Sequence, residues 1–267
     1  MSELRCAGMV DLHHHLLPGV DDGATDVAAA VAMARAALAE GITTVVCTPH
    51  TFDGVFDVER AAAAVALAEL SAALADAGLP LQVRLAGEVH LHEGIPELLR
   101  RDPGVSLDGH GRFLLLELPH QGPPPSLPDF LFRLAAAGTT PLIAHPERNL
   151  AVRKNPELAI GWAQRGAKLQ LTAGSLSGAF GEPIQTCAEH LLRSGCCHVV
   201  ATDAHSLAKR PPLVQAAFVA AAAIVGEEGA RTLFLDNPSR ILAGADPETI
   251  VAPAAARRRG LFASLFR

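Results

Sequence analysis

Gly8-Met9-Val10-Asp11-Leu12-His13, followed at once by His14 and His15, is an apolar run of strand length that finishes in metal-ligand side chains. The same grammar recurs along the chain. Short aliphatic and β-branched runs at 43–48, 82–88, 113–118, 141–145, 167–172 and 198–203 alternate with alanine- and leucine-rich stretches of helical period. That alternation predicts an α/β fold of βα units around a parallel sheet or barrel. Six of the seven runs end in His, Asp or Glu: Asp11 to His15, then His50, Glu88, Glu117, His145, and Asp203 with His205. Only the sixth, ending in Thr172 and Ser175, has none. In a βα barrel the C-terminal ends of the strands converge on one face, where active sites are assembled. A single strand-end histidine is more often a hydrogen-bonded core or surface group than a ligand. Six strand ends together predict one metal-binding cavity.

The stretches between the runs carry helix punctuation. Thr25 or Asp26 caps a helix reaching Glu40 and stopped by Gly41, and Asp57 caps a long one stopped by Gly78. Asn155-Pro156 and Asn237-Pro238 each read as an N-cap followed by proline at the first helical position. Residues 183–194 read as continuous helix.

Composition narrows the class. The 267 residues are 49% hydrophobic and 19% charged, which excludes a disordered chain. Length alone leaves one or two domains open, since α/β barrels often reach about 250 residues as a single unit. A net charge of -6 argues against nucleic acid as a partner. No signal-peptide pattern opens the chain, and no 18-residue apolar run crosses a membrane. Five cysteines without a Cys-x-x-Cys pair fit a reduced, cytoplasmic compartment. The oligomeric state is left open.

The donors are oxygen and imidazole, which selects Mn, Fe, Zn or Mg over a thiolate-bound structural zinc. Glu88 and Glu117 close apolar strands, where a buried carboxylate is costly unless a positive group meets it. His13 and His15, two apart in an extended segment, reach the same side, and His14 points away. Asp21 and Asp22 precede Gly23 in what reads as an Asp-rich turn. His90, His92, His110, His120, His190 and His198 read as bystanders, the first two and His120 lying near strand ends. Arg148 and Arg210 follow His145 and His205 on the same loops. A pair of guanidiniums beside a metal cluster suits a tetrahedral oxyanion, because each fork donates two hydrogen bonds. Cys187 and Arg193 have the Cys-x5-Arg spacing of thiol-based tyrosine phosphatases, but no glycine lies between them and the stretch reads as helix. Cys187 is therefore expected to be a packing residue.

Taken in order, Asp11-Leu12-His13-His14-His15, Val20-Asp21-Asp22-Gly23, Thr48-Pro49-His50, Gly87-Glu88, Leu116-Glu117, Ala144-His145-Pro146-Glu147-Arg148 and Thr202-Asp203-Ala204-His205 resemble the polymerase-and-histidinol-phosphatase (PHP) superfamily. The Val-Asp-Asp-Gly turn, the Ala-His-Pro-Glu-Arg strand end, residues 174–181 and Arg210-Pro211-Pro212 narrow the resemblance. They look like the manganese-dependent bacterial tyrosine-protein phosphatases of capsular and exopolysaccharide loci. The likeness spans about residues 9–243. It implies a distorted (β/α)7 TIM-like barrel over residues 1–243, with 244–267 as a C-terminal extension bearing a basic tail at 257–267.

The resemblance further implies a three-ion manganese cluster, with Fe, Zn, Mg or Co as substitutes. His13, His15, Glu117 and Asp203 would hold the first ion, and Glu117 would bridge to the second. Glu88 would bridge the second and third, His145 would complete the second, and Asp22, His50 and His205 would surround the third. Arg148 and Arg210 would contact phosphate. The implied substrate is a phosphotyrosine protein, with a bacterial tyrosine autokinase as partner. The rival readings are a small-molecule phosphomonoesterase of the histidinol-phosphatase type and, outside enzymes, a metal-binding regulatory protein. The tail reads as frayed and basic, with membrane attachment as its rival.

Overall fold

A computed structural model describes residues 5–250. The tail at 257–267 lies outside the described residues. β1 (Met9–His14) pairs parallel with β2 (Ile42–Cys47), which resumes after Pro49 as the two-residue β3 (His50–Thr51). β4 (Gln82–Leu85) lies beside β2, and its continuation β5 (Glu88–His90) lies beside β3. β6 (Phe113–Glu117), β7 (Thr140–Ala144), β8 (Lys168–Thr172) and β9 (Val199–Ala201) follow in chain order, each parallel to the last. β9 then returns to β1. His14 and Ala204 form a parallel bridge, and the Asp203 N–H donates to His13 O at 2.9 Å. With β2/β3 and β4/β5 each taken as one position, seven parallel strand positions run in a ring, the distorted (β/α)7 arrangement.

The distortion has local causes. Strand 82–88, expected to be continuous, breaks at Ala86-Gly87 because Gly87 turns its N–H outward to Val105 O. Its neighbour breaks at Pro49, which has no N–H to offer a ladder. β1 shifts register between Asp11 and His14, as a bulge does where a strand must re-aim its side chains.

Strand alternation sorts the core into two layers. Val10, Leu12, Phe113, Leu115, Leu142 and Val199 fill the ring, with Leu107 and Ile241 closing the end where the strands begin. The intervening residues, among them Met9, Leu114, Ile143, Leu169 and Val200, face outward into a larger cluster under the helices. The interior is thus apolar at one end and polar at the other.

Asp26 caps α1 (Val27–Ala39) as expected, accepting the Ala29 N–H at 2.8 Å. α2 (Arg60–Asp76) begins later than expected, after Glu59, and Asp57 does not cap it. Asp57 instead accepts the Phe52 N–H at 2.9 Å within the β3–α2 loop. α3 (Ile95–Arg101), α4 (Leu127–Ala136), α5 (Leu150–Lys154), α6 (Glu157–Gln164), α7 (Ala173–Leu176), α8 (Glu182–Arg193) and α9 (Gln215–Arg231) fill the connections. Asn155 gives α6 no side-chain cap, whereas Asn149 caps α5 by accepting from Ala151 at 3.0 Å. Nor does the Asn237 side chain cap a helix. The π-helical turn Thr232–Asp236 runs straight into α10 (Asn237–Leu242). The buried Asn237 amide donates to His198 O and Glu248 O and accepts the Glu248 N–H, holding the following segment against the start of β9. No helix among the described residues is long and apolar enough to cross a membrane.

Candidate metal centre

The polar end of the ring is where the strands finish, and the backbone is bent there to turn side chains inward. His145 and Asp203, each just past a strand, have φ of 33° and 53°, a left-handed region that non-glycine residues rarely occupy. After β1 the chain doubles back on His15, and the Ala24 N–H donates to His15 O at 3.1 Å. A Cβ on Gly23 would lie 2.1 Å from that same oxygen, so only glycine lets the loop approach. This approach delivers Asp21 and Asp22 to the histidines.

All nine expected ligands converge. Glu88 is the hub: Oε2 lies 3.2 Å from His13 Nε2, 3.3 Å from His15 Nε2 and 3.2 Å from His50 Nδ1. Its other oxygen lies 3.0 Å from His145 Nε2. Asp203 Oδ1 stands 3.4 Å from His13 and 3.6 Å from His15. At the solvent edge Asp22 Oδ1 meets His205 Nε2 at 3.1 Å and His50 Nε2 at 3.3 Å. Glu117 is 3.9 Å from His145 Nε2 and otherwise contacts His90 Nδ1, at 3.1 Å. Three sets of donor atoms are close enough to hold an ion: His13, His15 and Glu88; His15, Asp22, His50 and His205; and His50, Glu88 and Glu117. In this arrangement Glu88, rather than Glu117, faces His13 and His15 together with Asp203.

These residues fit divalent ions. His13 Nε2 and His15 Nε2 face each other across 3.3 Å. His50 Nδ1 and His205 Nε2 are buried and form no hydrogen bond, with carboxylate oxygens alongside. Imidazole lone pairs and carboxylates aimed at shared, nearly dry space are a metal-ligand set.

Three of the rings are held by groups the sequence reading did not assign. Asp21 Oδ2 meets His15 Nδ1 at 2.8 Å while its Oδ1 accepts the Gly23 N–H. Gln170 Oε1 accepts from His13 Nδ1 at 3.0 Å, and Asp203 O from His205 Nδ1 at 2.9 Å. Occupying Nδ1 leaves Nε2 for an ion, the usual arrangement around metal-bound histidine. Asp21, read as a turn residue, does both jobs. Gln170 had a signal available: it is a fully buried polar residue between Leu169 and Leu171 in the middle of β8.

The charges polarise one another. Burial works against a charged His15, yet the bonds to Asp21 and Glu88 outweigh it and lift the ring's pKa to about 10 in the absence of an ion. Burial likewise opposes ionised Glu88, but His13, His145 and His15 hold it well below the usual carboxylate range. The imidazoles of His205 and His50 beside it hold Asp22 below the usual carboxylate range. Burial pushes Asp11 up to about 6, and it accepts from the Thr202 hydroxyl at 2.5 Å and the Thr202 N–H at 3.0 Å across the β1–β9 seam. His14 is fully buried with both ring nitrogens unpartnered, and desolvation drives it down to about 3, so it stays neutral.

Arg148 and Arg210 both donate to Asp203 Oδ2, Arg210 at 2.7 Å, and so meet at one edge of the cluster. Cys187 sits in α8 with its thiol buried, and burial raises its pKa to about 11. It is a packing residue far from thiolate chemistry. His90 borders the cluster through Glu117, His92 packs on Phe52 with ring centroids 4.6 Å apart, and His110, His120 and His190 are exposed.

Residues 9–243 match the family described as capsular polysaccharide synthesis, CpsB/CapC. The chain belongs to the CpsB/CapC family. Among its relatives, the tyrosine-protein phosphatase YwqE of Bacillus subtilis is 37% identical over 202 residues, 76% of this chain and 79% of that protein. A solved chain from YwqE of Bacillus subtilis and CpsB of Streptococcus pneumoniae, described as unique metal-dependent tyrosine phosphatases, superposes with a TM-score of 0.85 at 32% identity. It covers 92% of this chain and 99% of that one. An organophosphorus hydrolase from Deinococcus radiodurans shares the fold alone, with a TM-score of 0.53 at 19% identity over 90% and 94% of the two chains. The strand-end cluster of this CpsB/CapC member is thus built on the architecture of a metal-dependent phosphatase.

Proposed function

We propose that the protein is a metal-dependent phosphoric monoester hydrolase acting on phosphotyrosine in a protein substrate. The carrying observation is the convergence of two guanidiniums on the edge of a nine-residue imidazole and carboxylate cluster. His13, His15, Asp22, His50, Glu88, Glu117, His145, Asp203 and His205 would hold the ions, manganese first, and Arg148 and Arg210 would bind the phosphate. Bound there, divalent ions would supply a water of lowered pKa and positive charge for the phosphate oxygens. The chain's own residues do the rest. Arg148 and Arg210 orient the phosphate and neutralise charge on its equatorial oxygens, releasing Asp203 from the contacts they make without substrate. In the neutral rings Asp21 and Gln170 hold the proton of His15 and His13 on Nδ1, which would leave Nε2 for an ion. A phenolate leaves with little acid assistance, so tyrosine phosphate asks less of a general acid than serine phosphate would.

Membership of the capsular polysaccharide family and the relatives' phosphatase activity support a tyrosine autokinase of polysaccharide export as the protein substrate. Five free thiols support a cytoplasmic location. We take residues 1–243 as the phosphatase unit and 244–267 as its extension.

The test is phosphate release from a phosphotyrosine peptide, a phosphoserine peptide and histidinol phosphate, using chelator-stripped protein with and without Mn. Mn-restored activity selective for phosphotyrosine, absent in His13→Ala and retained in Cys187→Ser, is the expected result. Preference for histidinol phosphate would move the substrate to the small-molecule class. Metal uptake without turnover of any of the three would favour the regulatory reading.

A further inference from the structure

The sixth strand, β8, is the one whose end carries no metal-ligand side chain, and the segment after it has no role in the reading above. Two consecutive residues of the β7 loop nevertheless dock on it. Glu147 is fully buried, and its Oε1 accepts the Thr172 N–H at 2.8 Å and the Ser175 hydroxyl at 2.7 Å. Arg148, next in the chain, lays its guanidinium over the ring of Phe180, with the central carbon 5.4 Å from the ring centroid. That is within the range in which an aromatic face attracts a cation. The ring has its own cradle. A Cβ at Gly174 would lie 2.8 and 2.9 Å from two of its carbons, so glycine there is what lets the ring lie flat under the arginine.

We propose that residues 172–181 are the positioning element for the phosphate-binding arginine, with Phe180 as the platform under Arg148 and Gly174 as the space that admits it. The inference rests on the assignment of Arg148 to phosphate. A guanidinium on four single-bonded torsions loses several rotamers when it binds an anion. Here Glu147 anchors its backbone and Phe180 its head beforehand, so that cost is met in folding instead of in binding. Phe180 is a positioning residue: it acts through Arg148 and touches no reacting atom. The ring face, rather than its bulk, is the operative property.

The experiment measures binding of inorganic phosphate to the manganese-loaded full chain by calorimetry, in Phe180→Leu, Phe180→Tyr, Arg148→Ala and the double variant Arg148→Ala/Phe180→Leu. Metal content and melting temperature are recorded for each. Leucine keeps volume and removes the π face, so Phe180→Leu should weaken phosphate by about 3- to 30-fold with metal content unchanged. Phe180→Tyr should restore it. Arg148→Ala should weaken phosphate at least as much, and the double variant should bind as Arg148→Ala alone does. Wild-type affinity in Phe180→Leu, or a loss that adds in full to that of Arg148→Ala, would overturn the platform while leaving the arginine's role intact. Unchanged affinity in Arg148→Ala would instead remove the arginine from the phosphate site and the platform with it. If Phe180→Leu proves unstable, Gly174→Ala, which pushes a methyl against a ring left in the chain, should weaken phosphate in the same direction.

Discussion

Asp21 gives the sharpest test of how the cluster is made ready for metal. Both of its oxygens are committed, Oδ2 to His15 Nδ1 at 2.8 Å and Oδ1 to the Gly23 N–H at 3.0 Å. Asparagine has one acceptor oxygen for these two donors. If that oxygen keeps the Gly23 N–H, the amide NH2 faces His15 Nδ1, which can then only accept. The ring proton moves to Nε2, the atom 3.3 Å from Glu88 and from His13 Nε2, and points into the space an ion needs. Removal of a charge-assisted hydrogen bond costs about 1.5–3 kcal/mol. At 1.4 kcal/mol per decade this is about a 10- to 100-fold loss of metal affinity, the range known for groups behind metal-bound histidines. Mn titration of chelator-stripped Asp21→Asn by calorimetry, with circular dichroism to confirm the fold, reads this directly. Affinity within about twofold of wild type, in a protein that melts normally, would refute the tautomer argument.

Gln170→Leu has two effects. Leucine leaves the buried His13 Nδ1–H without an acceptor, so the metal-free protein should lose about 1–3 kcal/mol of stability while Mn affinity falls about tenfold through His13; Mn affinity equal to wild type would contradict this. Gly23→Ala should melt well below wild type and retain little metal on mass-spectrometric analysis, because its Cβ meets the His15 carbonyl at 2.1 Å. For pH, His15 has its folded-state pKa lifted to about 10, and His13 and His50 are shifted the same way. A raised value favours the folded state fully below the unfolded value of about 6.5 and is lost on the way to the folded one. The metal-free protein should therefore melt at lower temperature as pH rises from about 6.5 to 9, by the equivalent of a few kcal/mol, and Asp21→Asn should flatten the trend. Mn binding at neutral pH should release protons, with affinity rising with pH. A melting temperature that climbs over that window would contradict the assignment.

Features set by local pattern are legible in the sequence. Strands such as 113–117 stand out because both faces are buried, inward against Phe113 and Leu115 and outward through Leu114 and Leu116. His, Asp and Glu at strand ends are legible because the ring interior beneath them is otherwise apolar. The features that escaped depend on partners outside the local pattern, some of them far along the chain. Asp57 has the composition of a cap but serves the Phe52 turn, and Asn237 has a capping motif spent on tying Glu248 to His198. Gln170 acquires meaning only when β1 lies beside the β8–β9 side of the ring. The grouping of Glu88 with His13 and His15 follows from the broken β4–β5 strand, a break that Gly87 permits and no periodicity announces.

The seam between β9 and β1 has a kinetic side. Thr202 and Asp11, which seal it, are 191 positions apart, and His13 and His15 stand on one side of it with Asp203 and His205 on the other. Contacts of such separation form late, because the entropy of closing so long a loop must be met before they add anything. The metal cluster is then the last part of the molecule to come into being. Ion uptake during refolding should trail the appearance of helical signal, and a bound ion should slow the reopening of that one joint more than any other in the ring.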